Sequence, residues 1–134
     1  DLHRVDRRQR QMCIRDREMT DKYENPTSDD YMGVVMGIIM SGGNAKGLAF
    51  QAIQQAKDGK FAEAESSLNE ASEQLREAHD VQTDLLTRLA QGEKIGWNLY
   101  MVHAQDHLMN AITFKDLAVE VVGQERRLQA LENK

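Results

Sequence analysis

The chain has 134 residues, a formal net charge of −5, 5% aromatic residues, one proline and one cysteine. That length sets a single domain with one modest core, the shortage of aromatic residues disfavours a sheet, and a lone Cys13 excludes a disulfide framework or a cysteine-based zinc site. Residues 1–17 hold six Arg and three Asp, so the body that follows is acidic and poorly suited to nucleic acid.

In chain order, residues 1–27 read as a disordered or spurious N-terminal extension, with the folded domain over 28–134. Asp1 to Arg17 is Arg-rich without a sustained apolar stripe, and Gln11 to Arg17 looks like translated sequencing-adapter read-through. Tyr23 to Thr27 is polar linker material. The stretch lacks the continuous apolar core of a signal peptide, and the longest apolar run, Val34 to Met40, is too short to span a bilayer. A cytoplasmic protein is expected.

Ser28, Asp29 and Asp30 supply N-cap side chains for a first helix. Its apolar set Met32, Val35, Met36, Ile39 and Met40 resumes at Leu48, Ala49, Ala52, Ile53 and Ala56 and stops at Asp58-Gly59. Gly42 and Gly43 fall inside it. At roughly 1 kcal/mol each relative to Ala, either the helix breaks there or something approaches the backbone closely. A second helix is predicted from Lys60 to about Leu89, on Phe61, Ala64, Leu68, Ala71, Leu75, Ala78, Val81, Leu85 and Leu89, ending at Gln91-Gly92. A third is predicted from near Glu93 to about Leu131, on Ile95, Leu99, Val102, Met109, Ile112, Leu117, Val121 and Leu128. Three long helices joined by tight turns make an all-α, antiparallel three-helix bundle.

Asp106 does not fit that third helix. At about 100° per residue, Leu99, Val102, Met109 and Thr113 all lie within about 60° of it, so the carboxylate is expected in the middle of the apolar stripe. A lone buried carboxylate must be paired, protonated or bound to a cation. His103 and His107 lie one turn apart on one flank of the stripe, and Gln105 lies nearly behind it. Three readings of the two histidines stand open. They are hydrogen-bonded packing residues, or an i,i+4 pair of metal ligands for which only Asp106 offers a third ligand, or they include a phosphoryl acceptor. An imidazole with its ordinary pKa near 6.5 keeps a lone pair at cellular pH.

The segment Val102-His103-Ala104-Gln105-Asp106-His107-Leu108-Met109 resembles the signature of the lactose/cellobiose family of phosphotransferase IIA proteins. Val35-Met36-Gly37-Ile38-Ile39 with Ser41-Gly42-Gly43-Asn44-Ala45 is similar to that family's first helix. Gln55 to Ala64 is similar to its first turn, and Glu77 to Thr83 to its second helix. Together these segments cover about residues 31–125 in the family's order.

The resemblance implies a homotrimer of three-helix subunits. It implies that His103 accepts phosphate from a histidine of the phosphocarrier HPr and hands it to a cysteine of a IIB component, while a membrane IIC component imports the sugar. It also implies that Asp106 shares a divalent metal, usually Mg2+, on the trimer axis. There the ion is structural: three converging carboxylates cannot all ionise in a low-dielectric interior without a cation between them, and oxygen ligands suit a hard one. Gln105 and His107 belong to the motif as supporting residues, and His79 would face the same pocket or lie on the solvated surface. Gly42 and Gly43 would leave room beside His103 or serve close helix packing. Two departures concern partner specificity: Lys46, where the family often carries Arg, and the unusual Gly96-Trp97-Asn98 before the motif. The competing reading is a non-catalytic helical scaffold or metal-binding bundle.

Overall fold

The computed structural model of the chain describes Arg7 and residues 21–134. Residues 21–134 form three helices and no strand: α1 (Asp29–Lys57), α2 (Phe61–Ala90) and α3 (Leu99–Glu132). None is long and apolar enough to cross a membrane. α1 starts where the sequence caps it, the Ser28 hydroxyl accepting from the Tyr31 amide, with Asp29 and Asp30 on the positive end of the helix dipole. α1 and α2 end at turns in which Gly59 (φ +75) and Gly92 (φ +93) take the left-handed conformation that side chains resist.

The order is up, down, up. α1 runs beside α3 in the same direction, Tyr31 meeting Asn98, Gly42 meeting His107 and Lys46 meeting Phe114. α2 runs opposite, Ser67 bonding back to Gln55 and Gln82 reaching Gln105. α1 is the spine on which both other helices pack along their length, while α2 and α3 touch each other less. Its small residues explain this: Gly42, Ala45, Ala49, Ala52 and Ala56 are all buried and let neighbouring backbones come close. The core has two parts. One is built on Tyr31, Val35, Ile38, Leu75, Leu85 and Leu108, beneath the residues singled out above. The other is Ala-rich, with Leu68 and Val122, at the far end. Burial pushes the Tyr31 phenol above its ordinary pKa, an interaction with Asn98 offsetting this in part.

Three expectations change. The third helix begins at Leu99, not near Glu93, because the donors before it are spent elsewhere: the Lys94 amide donates to Asp21 Oδ1 (2.9 Å) and the Gly96 amide to the Tyr23 carbonyl (2.9 Å). Asn98 then caps α3, its side chain accepting from the Met101 amide (3.0 Å). By the same contacts, the boundary at residue 28 moves back to Asp21. Tyr23 is only 8% exposed within the first core cluster, with the Arg88 guanidinium 5.4 Å from its ring centroid. Residues 21–27 form a strap over the α2–α3 loop, and Gly96 is required beneath it, since an added Cβ would strike the Glu24 carbonyl and lie 2.9 Å from Pro26 Cγ. The remainder of the expected extension, residues 1–20 apart from Arg7, lies outside the described residues.

The third change concerns which face of α3 is core. Met101, Ala104, Leu108, Ala111, Ala118 and Val122 are buried, whereas Leu99, Val102, Met109, Leu117 and Leu128 are exposed, Leu99 by 81%. Asp106 is therefore not in the core of the subunit but in the middle of an apolar surface that the subunit leaves open. Ala104, Ala111 and Ala118 face inward where α1 comes near, and most of the larger side chains are left outside.

Candidate functional site

α3 carries the site on its second and third turns. Capping by Asn98 and the strap fix where those turns begin, so the register of His103 follows from contacts five to ten residues upstream. His103 is exposed on the shoulder between the open apolar face and α1. His107, one turn on, is half-buried, and the two rings stack with centroids 5.7 Å apart and planes inclined by 19°. Among the described residues, none hydrogen-bonds either imidazole.

The helix does not break at Gly42-Gly43. An added Cβ at Gly42 would lie 3.1 Å from His107 Cδ2 and 3.6 Å from the His107 carbonyl oxygen; one at Gly43 would lie 3.3 Å from Nε2. The two distances to the ring are tighter than ordinary van der Waals contact, so the space the glycines leave is filled by His107, not held open beside His103.

Asp106 sits on the outer face, Oδ2 accepting from Asn110 Nδ2 (3.1 Å) one turn away. Within one subunit, no group of three or more His, Cys, Asp or Glu side chains gathers around Asp106 among the described residues. A carboxylate flanked by an amide is an oxygen donor of the right kind for a hard divalent ion, whose remaining ligands would be water or other copies of the chain.

Gln105 lies on the opposite flank. Its side-chain oxygen accepts from Gln82 Nε2 (2.6 Å) and its amide nitrogen lies 3.3 Å from Met101 Sδ, so within one subunit it faces α2 and not His103. His79 is exposed on α2 beside Ile112, Lys115 and Asp116, well along the bundle from His103. Lys46 does not reach the site either: its ammonium lies 5.8 Å from the Phe114 ring centroid. Of the residues predicted from sequence, the structure brings together His103 and His107, with Asp106 on the adjoining face. Sequence reasoning missed Asn98 as the cap; its position five residues before the first histidine of the motif, after Gly96, is the signal that would have found it.

Comparison with known proteins is consistent with this arrangement. The family model "PTS system, Lactose/Cellobiose specific IIA subunit" matches residues 33–126. The chain is 97% identical over 116 residues to the PTS system cellobiose-specific EIIA component of Lactococcus lactis subsp. lactis (strain IL1403), covering 87% of this chain and 100% of that protein. It is 41% identical over 97 residues to the N,N'-diacetylchitobiose-specific EIIA component of Escherichia coli (strain K12), covering 72% and 84%. Among solved structures, the PTS cellobiose-specific enzyme IIA from Bacillus anthracis superposes with a TM-score of 0.71 at 44% identity, over 73% of this chain and 90% of that one. The IIA(Chitobiose) chain of a IIA–HPr complex from Escherichia coli superposes with a TM-score of 0.65 at 36% identity, over 76% and 99%.

Proposed function

The chain belongs to the lactose/cellobiose-specific IIA family of the PTS, and from that premise we propose that it is a cytoplasmic phosphoryl carrier whose acceptor is His103. The observation that carries the reading is the presentation of this ring: exposed, with no hydrogen-bond partner among the described residues, and held against a second imidazole on a rigid helix. A neutral imidazole there offers a lone pair to an incoming phosphorus. The new N–P bond forms as the N–P bond of the donor phosphohistidine breaks, and the donor's imidazole leaves. In the second transfer a cysteine thiolate attacks, an S–P bond forms, and His103 is released. The protein's part is positioning of two partner side chains in line with the phosphorus.

The donor we assign is HPr, because a IIA relative of 36% identity has been solved as a complex with it. The acceptor is a cysteine of the IIB component, which serves the IIC importer. Near identity with a cellobiose-specific protein supports cellobiose as the sugar of that route, although this chain need not touch it.

We further propose that three copies bury the open face of α3 against one another. That face presents Leu99, Val102, Met109, Leu117, Leu128 and Leu131 over the whole helix, more apolar surface than a lone subunit usually leaves wet. Asp106 would then meet its two symmetry copies, and a shared Mg2+ would be held by these carboxylates. When bound, the ion would neutralise their mutual repulsion, with no part in phosphoryl transfer.

The test is phosphorylation from phosphoenolpyruvate with purified enzyme I and HPr, followed by mapping of the acid-labile adduct and transfer to IIB. Label on His103, lost in His103→Ala, is the expected result. An intact assembly that takes no label at His103 would leave the scaffold reading in its place.

A further inference from the structure

We infer that Gly42 and Gly43 form a seat for the His107 ring, and that through the stacked pair this seat sets the orientation from which His103 receives phosphate. The inference rests on the carrier reading and adds positioning residues on α1, a helix that supplies no reacting atom.

The geometry runs from α1 outward. Gly42 is buried and meets both the edge of the His107 ring and its backbone carbonyl, so this glycine sets the distance between the two helices as well as the ring. Gly43 is exposed, and among the described residues beyond its own stretch of α1 a Cβ there would meet the His107 Nε2 atom alone within 4 Å. The ring is therefore bounded on one side by α1 backbone without side chains and on the other by His103, at a centroid distance of 5.7 Å and an inclination of 19°. Two helix-weakening glycines in a row, both facing one imidazole, are accounted for if that imidazole must lie close against α1. A ring displaced by a Cβ would swing toward His103 and turn it off line with the phosphorus. Such small misplacements are costly, a 1 Å error reaching about 100-fold in rate.

Gly43→Ala separates this role from a structural one. Alanine is the better helix former at an exposed position, so the variant should unfold at the same temperature as the parent chain or higher. Its rate of phosphoryl acceptance at saturating phospho-HPr should fall about tenfold, with the KM for phospho-HPr unchanged, and the imidazole proton resonances of both His103 and His107 should move. In a His107→Ala background, Gly43→Ala should have no further effect on the rate or on the His103 resonances, because the ring it displaces is gone.

Two results would overturn the inference: a Gly43→Ala protein that accepts phosphate at the parent rate, or an equal slowing with and without His107, which would place the effect on partner docking. Either would leave the carrier reading standing if the parent chain is labelled on His103. Absence of that label in the parent chain would instead remove the carrier reading and this inference together.

Discussion

The inner and outer faces of α3 are both apolar along most of the helix, yet the subunit covers only one of them. Inside lie Met101, Ala104, Leu108, Ala111, Ala118 and Val122; outside lie Leu99, Val102, Met109, Leu117, Leu128 and Leu131, with Leu117 60% exposed. The inner residues are mostly small because the glycine- and alanine-rich α1 lies against them. The outer residues are mostly the larger ones, and Val102 and Met109 among them lie within one turn of Asp106. The larger side chains are thus mostly the uncovered ones, the reverse of an ordinary amphipathic helix, and the proposed trimer accounts for the difference by burying that stripe against other copies of the chain.

The comparison can be broken most directly on the outer face. Leu117→Glu should abolish the proposed trimer, since carboxylates without partners cost several kcal/mol each when buried. Sedimentation should then report a single subunit with its helical circular dichroism retained; an unchanged mass would place the interface elsewhere. On the inner face, Leu108→Ala should lower subunit stability by about 2–5 kcal/mol, because a fully buried leucine leaves a cavity at the centre of the first core cluster. Urea unfolding would check it.

Asp106 sharpens the outer side further. Removal of Mg2+ with a chelator should destabilise the trimer, and Asp106→Leu should make it indifferent to chelation and more stable by about 1–4 kcal/mol, as replacement of buried charge by packed apolar groups commonly does. Chelator-insensitive association of the parent chain would dispose of the shared cation. The smallest effect is expected upstream of both faces. Gly96→Ala forces apart the strap and the α2–α3 loop and should cost about 1–3 kcal/mol of stability. Faster amide exchange at Met101 and Val102 would show the α3 cap loosening.

Much of this was legible in the sequence. The 3/4 spacing of apolar residues located α1 and α2 to within a residue or two, and Ser28, Gly59 and Gly92 marked ends that the structure keeps. The histidine pair was visible as a one-turn repeat. What periodicity could not decide was which of two apolar faces of α3 turns inward, because that depends on how closely α1 approaches, and the glycines and alanines that permit the approach lie some sixty residues away in the chain. Nor could it decide between the two readings of Gly42-Gly43, which differ only in whether the His107 ring occupies the space. The start of α3 was misplaced for a related reason: the Lys94 and Gly96 amides are spent on Asp21 and Tyr23, a long-range pairing that no local pattern records.

The decisive measurement is phosphorus NMR of the intact protein, 15N-labelled on histidine, after incubation with phospho-HPr. A single phosphoramidate resonance coupled to a His103 ring nitrogen, discharged when IIB is added, is what the carrier reading requires. A phosphorus signal coupled to another residue, or one that IIB leaves in place, would contradict it.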